Sequence, residues 1–534
     1  MTRLAAAAAA LALLAALPAP ALAEFQLTIL HTNDFHSRIE PVNKYDSTCV
    51  GKDLAEGACF GGSARLATAI RERRAAHPDA LLVDGGDQFQ GSLFYNHYKG
   101  EVAAEMMTAL GYDAMTVGNH EFDDGPEVLR AFIARVGFPI LLANADVSAE
   151  PQLAGAVKPS VVVEKGGQKI GLVGLSPADT AELASPGPNV TFSDPESALK
   201  REIAALTEAG VDKIVVLSHS GYTVDQRIAA TVPGIDVIVG GHSHTLLSNT
   251  DDKAEGPYPT WITGPDGTRV PIVQAYAYGR FLGELQVTFD DAGTVTAAAG
   301  APVVMDAGIA EDETLKARIA DLAKPLEAIR SEVVAATSAP IDGSRETCRV
   351  AACEMGVLVA DAMLARTAAQ GVTIAIQNGG GLRASIDAGE VTMGEVLTVL
   401  PFQNTVATLG LTGADVVAAL EGGVARVEEG AGRFPQVAGL RYTWTRAAKP
   451  GEGRIRKVEV RDGETWVPID PAKVYLVVTN NYMRGGGDGY SVFAKKAIDP
   501  YDFGPNLEDV VVAYMKADGA SYTPHVDDRI TEEK

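Results

Sequence analysis

From about residue 25 to 304 the hydrophobic and polar positions fall into a repeating block. A short apolar run rich in β-branched residues is followed by a tight polar cluster, and then by a stretch with helical spacing. The apolar runs lie at 27–30, 80–83, 114–117, 214–217 and 237–239, with further strand-like pieces at 161–163 and 169–173. Runs such as KIVVLS and DVIVGG are too short for helices and read as buried strands. Strands alternating with helices predict a layered α/β domain, a β-sandwich flanked by helices, over 24–310. The pattern changes at 311–337, which is charged, helically periodic and interrupted by Pro325, and so predicts a helical linker. A second α/β unit follows over 338–534, with strands at 373–376 and 474–478.

The first 23 residues belong to a different pattern. Arg3 precedes an unbroken apolar stretch at 4–17, prolines at 18 and 20 break it, and Ala21-Leu22-Ala23 offers small residues for cleavage. This predicts a secretory signal peptide over 1–23, because the stretch falls short of the roughly 18–20 apolar residues a spanning helix needs. No later segment is long and apolar enough to anchor the chain in a bilayer, so the expectation is an exported protein, periplasmic if the host has an outer membrane. Four cysteines in two close pairs, Cys49 with Cys59 and Cys348 with Cys353, fit local disulfides in an oxidising compartment. The formal charge of −24 argues against binding a nucleic acid polymer through a basic surface. A small anionic substrate would need local positive charge, from metal ions or from a few placed arginines.

The polar clusters carry the chemistry. They are His31-Thr-Asn-Asp34-Phe-His36, Asp84-Gly-Gly-Asp87, Gly118-Asn119-His120-Glu-Phe-Asp123, Ser218-His219-Ser220 and Gly240-Gly-His242-Ser-His244. Each sits where a strand ends at its carboxyl edge, the edge at which open α/β sheets collect ligands. Asp34 and His36, like His242 and His244, are one residue apart, so on an extended segment each pair faces one side. Carboxylates and imidazoles without thiolates suit Zn, Mn, Fe or Co, and Asp87 is placed to bridge two ions. A lone histidine beside a strand is ordinarily a core or surface residue. Six of the nine histidines fall in these clusters, which isolated core histidines would not do.

These segments resemble the calcineurin-like metallophosphoesterases and, within them, the 5'-nucleotidase family. The resemblance implies one divalent ion on Asp34, His36, Asp87 and His244, and a second on Asp87, Asn119, His219 and His242. It implies a catalytic dyad of His120 and Asp123. Relatives often carry Gln or Asn at the position of His244, a departure that bears on metal preference. His31 reads as structural, His77 and His97 as ordinary surface or helix residues, and His525 as part of the tail.

The second unit supplies the substrate side. Two glycine turns, Asn378-Gly-Gly-Gly-Leu-Arg383 and Gly485-Gly-Gly-Asp488-Gly, let a ligand approach the backbone, and neither is a P-loop because no Lys-Ser or Lys-Thr follows. Arg349 and Arg383 suit bidentate anion binding, while Phe402 and Tyr482 suit stacking on a flat ring, though either aromatic alone reads more readily as core. Together these segments resemble the 5'-nucleotidase substrate domain. That likeness implies base stacking by Phe402 and Tyr482, and ribose contacts from Asp488. It also implies contacts from Arg349, Arg383 and Asn378 to the phosphate side and ribose. Relatives have Phe where this chain has Tyr482. The expected function is hydrolysis of nucleotides to release phosphate. The alternatives are a nucleotide-sugar (UDP-sugar) hydrolase, a 2',3'-cyclic-nucleotide phosphodiesterase, a sulfur-ester hydrolase, or a non-catalytic nucleotide-binding protein. The stacking pair disfavours the sulfur ester, and the complete ligand set with its dyad disfavours the non-catalytic binder.

Overall fold

The computed structural model describes residues 24–533, apart from 45, 503, 518–520 and the side chain of residue 182. The expected signal peptide at 1–23 lies outside the described residues. The apolar runs of the first half form two six-stranded sheets packed face to face. In the first, Phe25–Thr32, Leu81–Asp84, Ala114–Thr116 and Ile140–Leu141 run parallel, and Phe281–Phe289 and Val295–Val304 add antiparallel strands beside Phe25–Thr32. In the second, Gln168–Leu175, Ile214–Ser218, Val237–Gly240 and Arg269–Val273 run parallel, with Ser160–Lys165 and Thr260–Thr263 antiparallel at the edges.

Leu27, Ile29, Leu81 and Val83 from one sheet meet Leu172, Val215, Leu217 and Val239 from the other in a closed apolar layer. Strands buried on both faces need continuous apolar runs, which is why these segments do not alternate. Helices Ser63–Ala76, Glu101–Leu110 and Gly125–Ile133 cover one outer face, and Pro195–Glu208 and Tyr222–Thr231 the other. His31 is enclosed in this layer. Its Nε2 lies 2.9 Å from the Tyr258 hydroxyl, and burial pushes its imidazole down to about 3, so it is a neutral structural residue.

The segment expected to link the halves is helical over Glu313–Ala323, passes through a 3-10 turn at Lys324–Leu326 that accommodates Pro325, and resumes at Glu327–Arg330. It is packed down along the first half, with Ile319, Leu322 and Leu326 buried among the residues of its helical layer. Helical structure stops at Arg330. Val333–Thr337 is a strand paired with Gly389–Thr392, so the last residues of the expected linker belong to the second half.

In that half a five-stranded sheet runs in the order Pro435–Ala438, Ile374–Asn378, Val474–Asn480, Val406–Thr412, Ile498–Tyr501. Glu354–Thr367 and Leu507–Lys516 cover one face, and Gly413–Gly423 with a four-stranded sheet covers the other. Both expected disulfides, Cys49–Cys59 and Cys348–Cys353, are formed. Among the described residues no helix is long and apolar enough to cross a membrane.

The halves meet along a seam. Glu40 pairs at 2.7 Å with Arg330, the end of the linker helix, which lies against Gly394 of the second half; the Ser47 hydroxyl donates to the Ser385 carbonyl at 3.0 Å, and Asp179 pairs with Arg426. Beside these contacts a cleft of about 690 Å³ opens, bordered by the polar clusters of the first half and the glycine turns of the second.

Candidate active site

Five loops at the carboxyl edges of the parallel strands converge on the floor of this cleft. Asp34, His36 and His244 bring ligand atoms within 4.8 Å of one another, as do His36, Asp87 and His120, and Asp87, His219 and His242. The backbone that achieves this is not extended, contrary to the expectation from spacing. Asp34 and His36 have φ of 51° and 50°, His242 and His244 have 68° and 54°, and Asp87 has 61°. Left-handed backbone costs a residue with a side chain roughly 1–2 kcal/mol, and a concentration of such residues marks a site that holds them for a purpose. Asp34 and His36 face one point because both turn, whereas His242 and His244 turn into different clusters, His244 to Asp34 and His36 and His242 to Asp87 and His219.

The donor chemistry fits divalent cations. His36 Nδ1 lies 3.1 Å from the Phe89 carbonyl and His219 Nδ1 2.6 Å from the Gly85 carbonyl, so each Nδ1 donates and each Nε2 presents its lone pair inward. His36 Nε2 and His244 Nε2 then approach to 3.1 Å, two ring nitrogens turned to one place. His219 Nε2 is buried without a hydrogen-bond partner although Asp87 Oδ2 is 2.9 Å away. His242 Nδ1 faces the Asn119 amide oxygen at 2.9 Å. Burial pushes the Asp34 carboxyl up to about 6, against the pull of His219. Burial also works to raise Asp87, but the imidazoles of His219, His120 and His36 hold it well below the usual carboxylate range.

Glycines form the floor. A Cβ on Gly118 would stand 2.2 Å from Asp87 Oδ1, and one on Gly86 would stand 2.8 Å from His219 Nδ1. Beneath them lies Glu121, to which the sequence reading gave no role. It is fully buried and accepts four backbone N–H groups, from Asp87, Gln88, Phe89 and Gly118, at 2.6–3.2 Å. Burial and the Asp87 charge push its carboxyl up to about 7, while these donors favour the ionised form. One carboxylate therefore ties the Asp87 loop to the Asn119 loop. Glu121→Gln turns an amide N–H₂ toward two of those donors and is expected to cost roughly 3 kcal/mol. Urea denaturation checks this, and a loss under about 0.5 kcal/mol would refute the tie.

His120 Nδ1 lies 2.7 Å from Asp123 Oδ2. Burial lowers its basicity, but Asp123 and Asp87 more than offset that and the net direction is up. The ring of Phe402, from the second half, lies against His120 at 5.6 Å and 20°. Arg383 crosses the seam and donates from Nη2 to His36 Nε2 at 3.0 Å, bringing a cation to the ligand cluster. Arg349 is buried and donates to the Gly430 carbonyl at 3.1 Å. Asn378 Nδ2 donates to Asp488 Oδ2 at 2.6 Å. Tyr482 and Asp488 border the same cleft. The sequence reading overlooked Arg345, which joins Arg349 and Arg383 on the cleft wall. Its signal was the i, i+4 spacing to Arg349 on the helical turn Arg345–Cys348, which puts both on one face.

Carboxylates and imidazoles gathered at the strand ends of an α/β sandwich define a metal-dependent phosphoesterase of the calcineurin-like class, and residues 27–246 match the family model of the calcineurin-like phosphoesterases. Residues 333–495 match the model of the 5'-nucleotidase C-terminal domain. A 5'-nucleotidase of Diplobatis ommata is 39% identical over 97% of this chain and 92% of its own length. The crystal structure of a 5'-nucleotidase precursor from Thermus thermophilus superposes with a TM-score of 0.90 at 39% identity, covering 95% of this chain and 99% of that one. A sulfate thiohydrolase of Thermus thermophilus, 20% identical with a TM-score of 0.76 over 95% of this chain and 96% of its own, shares the fold. The chain belongs to the 5'-nucleotidase family.

Proposed function

We propose that this protein hydrolyses nucleotides to nucleoside and phosphate, with two divalent ions on the cleft floor and the nucleoside held by the second half. The observation that carries the proposal is the facing of two unlike walls across one cleft. One wall is a cation site of carboxylates and imidazoles; the other bears Arg345, Arg349, Arg383, Phe402 and Tyr482. Its volume, about 690 Å³, suits a small-molecule ligand.

Asp34, His36, Asp87 and His244 would hold one ion, and Asp87, Asn119, His219 and His242 the other. Divalent ions held there polarise phosphoryl oxygens and lower the pKa of water enough for attack at phosphorus. The chain's own groups do the rest. His120, oriented by Asp123, carries a proton at Nε2 to the departing ribose oxygen or stabilises charge on the phosphoryl group. Arg349 and Arg383 hold the phosphate side, with Asn378 beside them. Phe402 and Tyr482 border the base, and Asp488 accepts from ribose hydroxyls. The two α/β units, 24–310 and 338–534, act as separable domains whose seam opens for exchange. Two disulfides and the 1–23 pattern support export.

The test follows phosphate release from AMP and ATP, and the phosphomonoester products of UDP-glucose and 2',3'-cyclic AMP, with metal-stripped enzyme and Mn, Zn or Co restored. Activity should vanish on stripping and return with metal, fastest on AMP. Turnover confined to the sugar or cyclic substrate would redirect the assignment to those esters. No release from any of them would remove the nucleotide from the proposal.

A further inference from the structure

We propose that the Tyr482 hydroxyl is a positioning group that couples recognition of the ribose to closure of the cleft. The proposal rests on the nucleotidase reading and on the place given there to Asp488.

The ring of Tyr482 is fixed against the Gly487 backbone, where a Cβ would come within 2.5 Å of its carbons. Its hydroxyl oxygen accepts from the Asp488 N–H at 3.1 Å, holding Asp488 in a left-handed turn at φ 52°. Among the described contacts the hydroxyl proton is shared between Asp488 Oδ1 at 3.2 Å and the Leu183 carbonyl at 3.0 Å. It serves one at a time. Leu183 belongs to the other half of the molecule, at the end of the helical turn Thr180–Leu183. Two residues later Ser185 donates its N–H to the Phe122 carbonyl at 3.3 Å, inside the loop that carries His120 and Asp123. The hydroxyl thus bridges Asp488 to the segment beside the dyad.

Asp488 Oδ2 is occupied by the Asn378 amide and faces Gly380 and Gly432, whose added Cβ atoms would stand 3.2 and 3.0 Å from it. Oδ1 is the oxygen that remains for a substrate. With no ribose, the carboxylate and the Leu183 carbonyl compete for the Tyr482 proton, the first by its charge and the second by its shorter reach. A ribose hydroxyl donating to Oδ1 weakens that oxygen as an acceptor and biases the proton toward Leu183, a contact that exists only with the halves together. Ribose occupancy and closure then favour each other, because the two domain arrangements bind the sugar with different affinity.

The experiment compares kcat/KM for AMP, 2'-deoxy-AMP and 3'-deoxy-AMP in the parent enzyme and in Tyr482→Phe, which keeps the ring. The parent should prefer AMP to the analogue lacking the bonding hydroxyl. The variant should lose roughly two- to tenfold on AMP, the worth of one hydrogen bond, and its preference should narrow by the same factor. An unchanged AMP-to-deoxy ratio, whatever happens to the absolute rates, overturns the proposal. Small-angle scattering of the parent enzyme gives a check that needs no variant. Adenosine should compact the molecule more than 2',3'-dideoxyadenosine does, and equal compaction overturns the proposal. Failure of the parent to hydrolyse AMP with any metal would instead strike the nucleotidase reading, and the coupling with it.

Discussion

Asp87→Asn is expected to lower AMP hydrolysis by about a thousandfold or more and to reduce the metal retained after gel filtration. Asp87 is the carboxylate shared by two of the three ligand clusters. Its Oδ2 lies 2.9 Å from His219 Nε2 and 3.9 Å from His36 Nε2, between the two groups of imidazoles. Its Oδ1 accepts the His120 backbone N–H at 2.9 Å. An asparagine keeps the shape but removes the charge and one acceptor, so repulsion between the two proposed cations would no longer be screened. Loss of several kcal/mol of charge stabilisation, at about 1.4 kcal/mol per tenfold, gives the stated factor. Full metal content with activity within tenfold of the parent would show that Asp87 bridges nothing.

His120→Asn should lower kcat by roughly a hundred- to ten-thousandfold, the usual reach of a positioned acid, while metal content stays at the parent's level. The imidazole donates from Nδ1 to Asp123 Oδ2 at 2.7 Å, which leaves Nε2 as the atom that would deal with substrate. KM should move less than kcat, because His120 meets the second half through the face of Phe402. Asp123→Asn should give a smaller loss, since it misorients the imidazole without deleting it. Equal kcat in parent and His120→Asn would assign the proton to another group.

The sandwich was legible because its central strands are buried on both faces and therefore read as continuous apolar runs. The candidate cation cluster was legible because polar clusters followed those runs at five places. The geometry within each cluster was not. Asp34 and His36 looked like neighbours on an extended segment, whereas each is left-handed, and the enrichment of Asp and His in that region is too weak to announce it at a given position. Glu121 was visible as a letter but not as an anchor, because its four partners are backbone groups up to 34 residues away. The four-stranded sheet of the second half was equally hidden. Its edge strand Ile530–Glu532 pairs with Leu440–Trp444 across some 90 residues of chain, and three residues carry no readable period. The seam pairs Asp179–Arg426 and Glu40–Arg330 join residues whose charges look like ordinary solvated surface until the halves are assembled.

The glycine floor has a consequence for how such an enzyme can diversify. At Gly118 and Gly86 any side chain would displace Asp87 or His219, so mutation there removes chemistry before it can alter preference. The opposite wall has tight glycines of its own, such as Gly487 against Tyr482, but none of them crowds a cation-cluster residue. Heritable change in what is hydrolysed should therefore accumulate on residues such as Tyr482 and Arg345, while the catalytic floor is inherited as a single indivisible block.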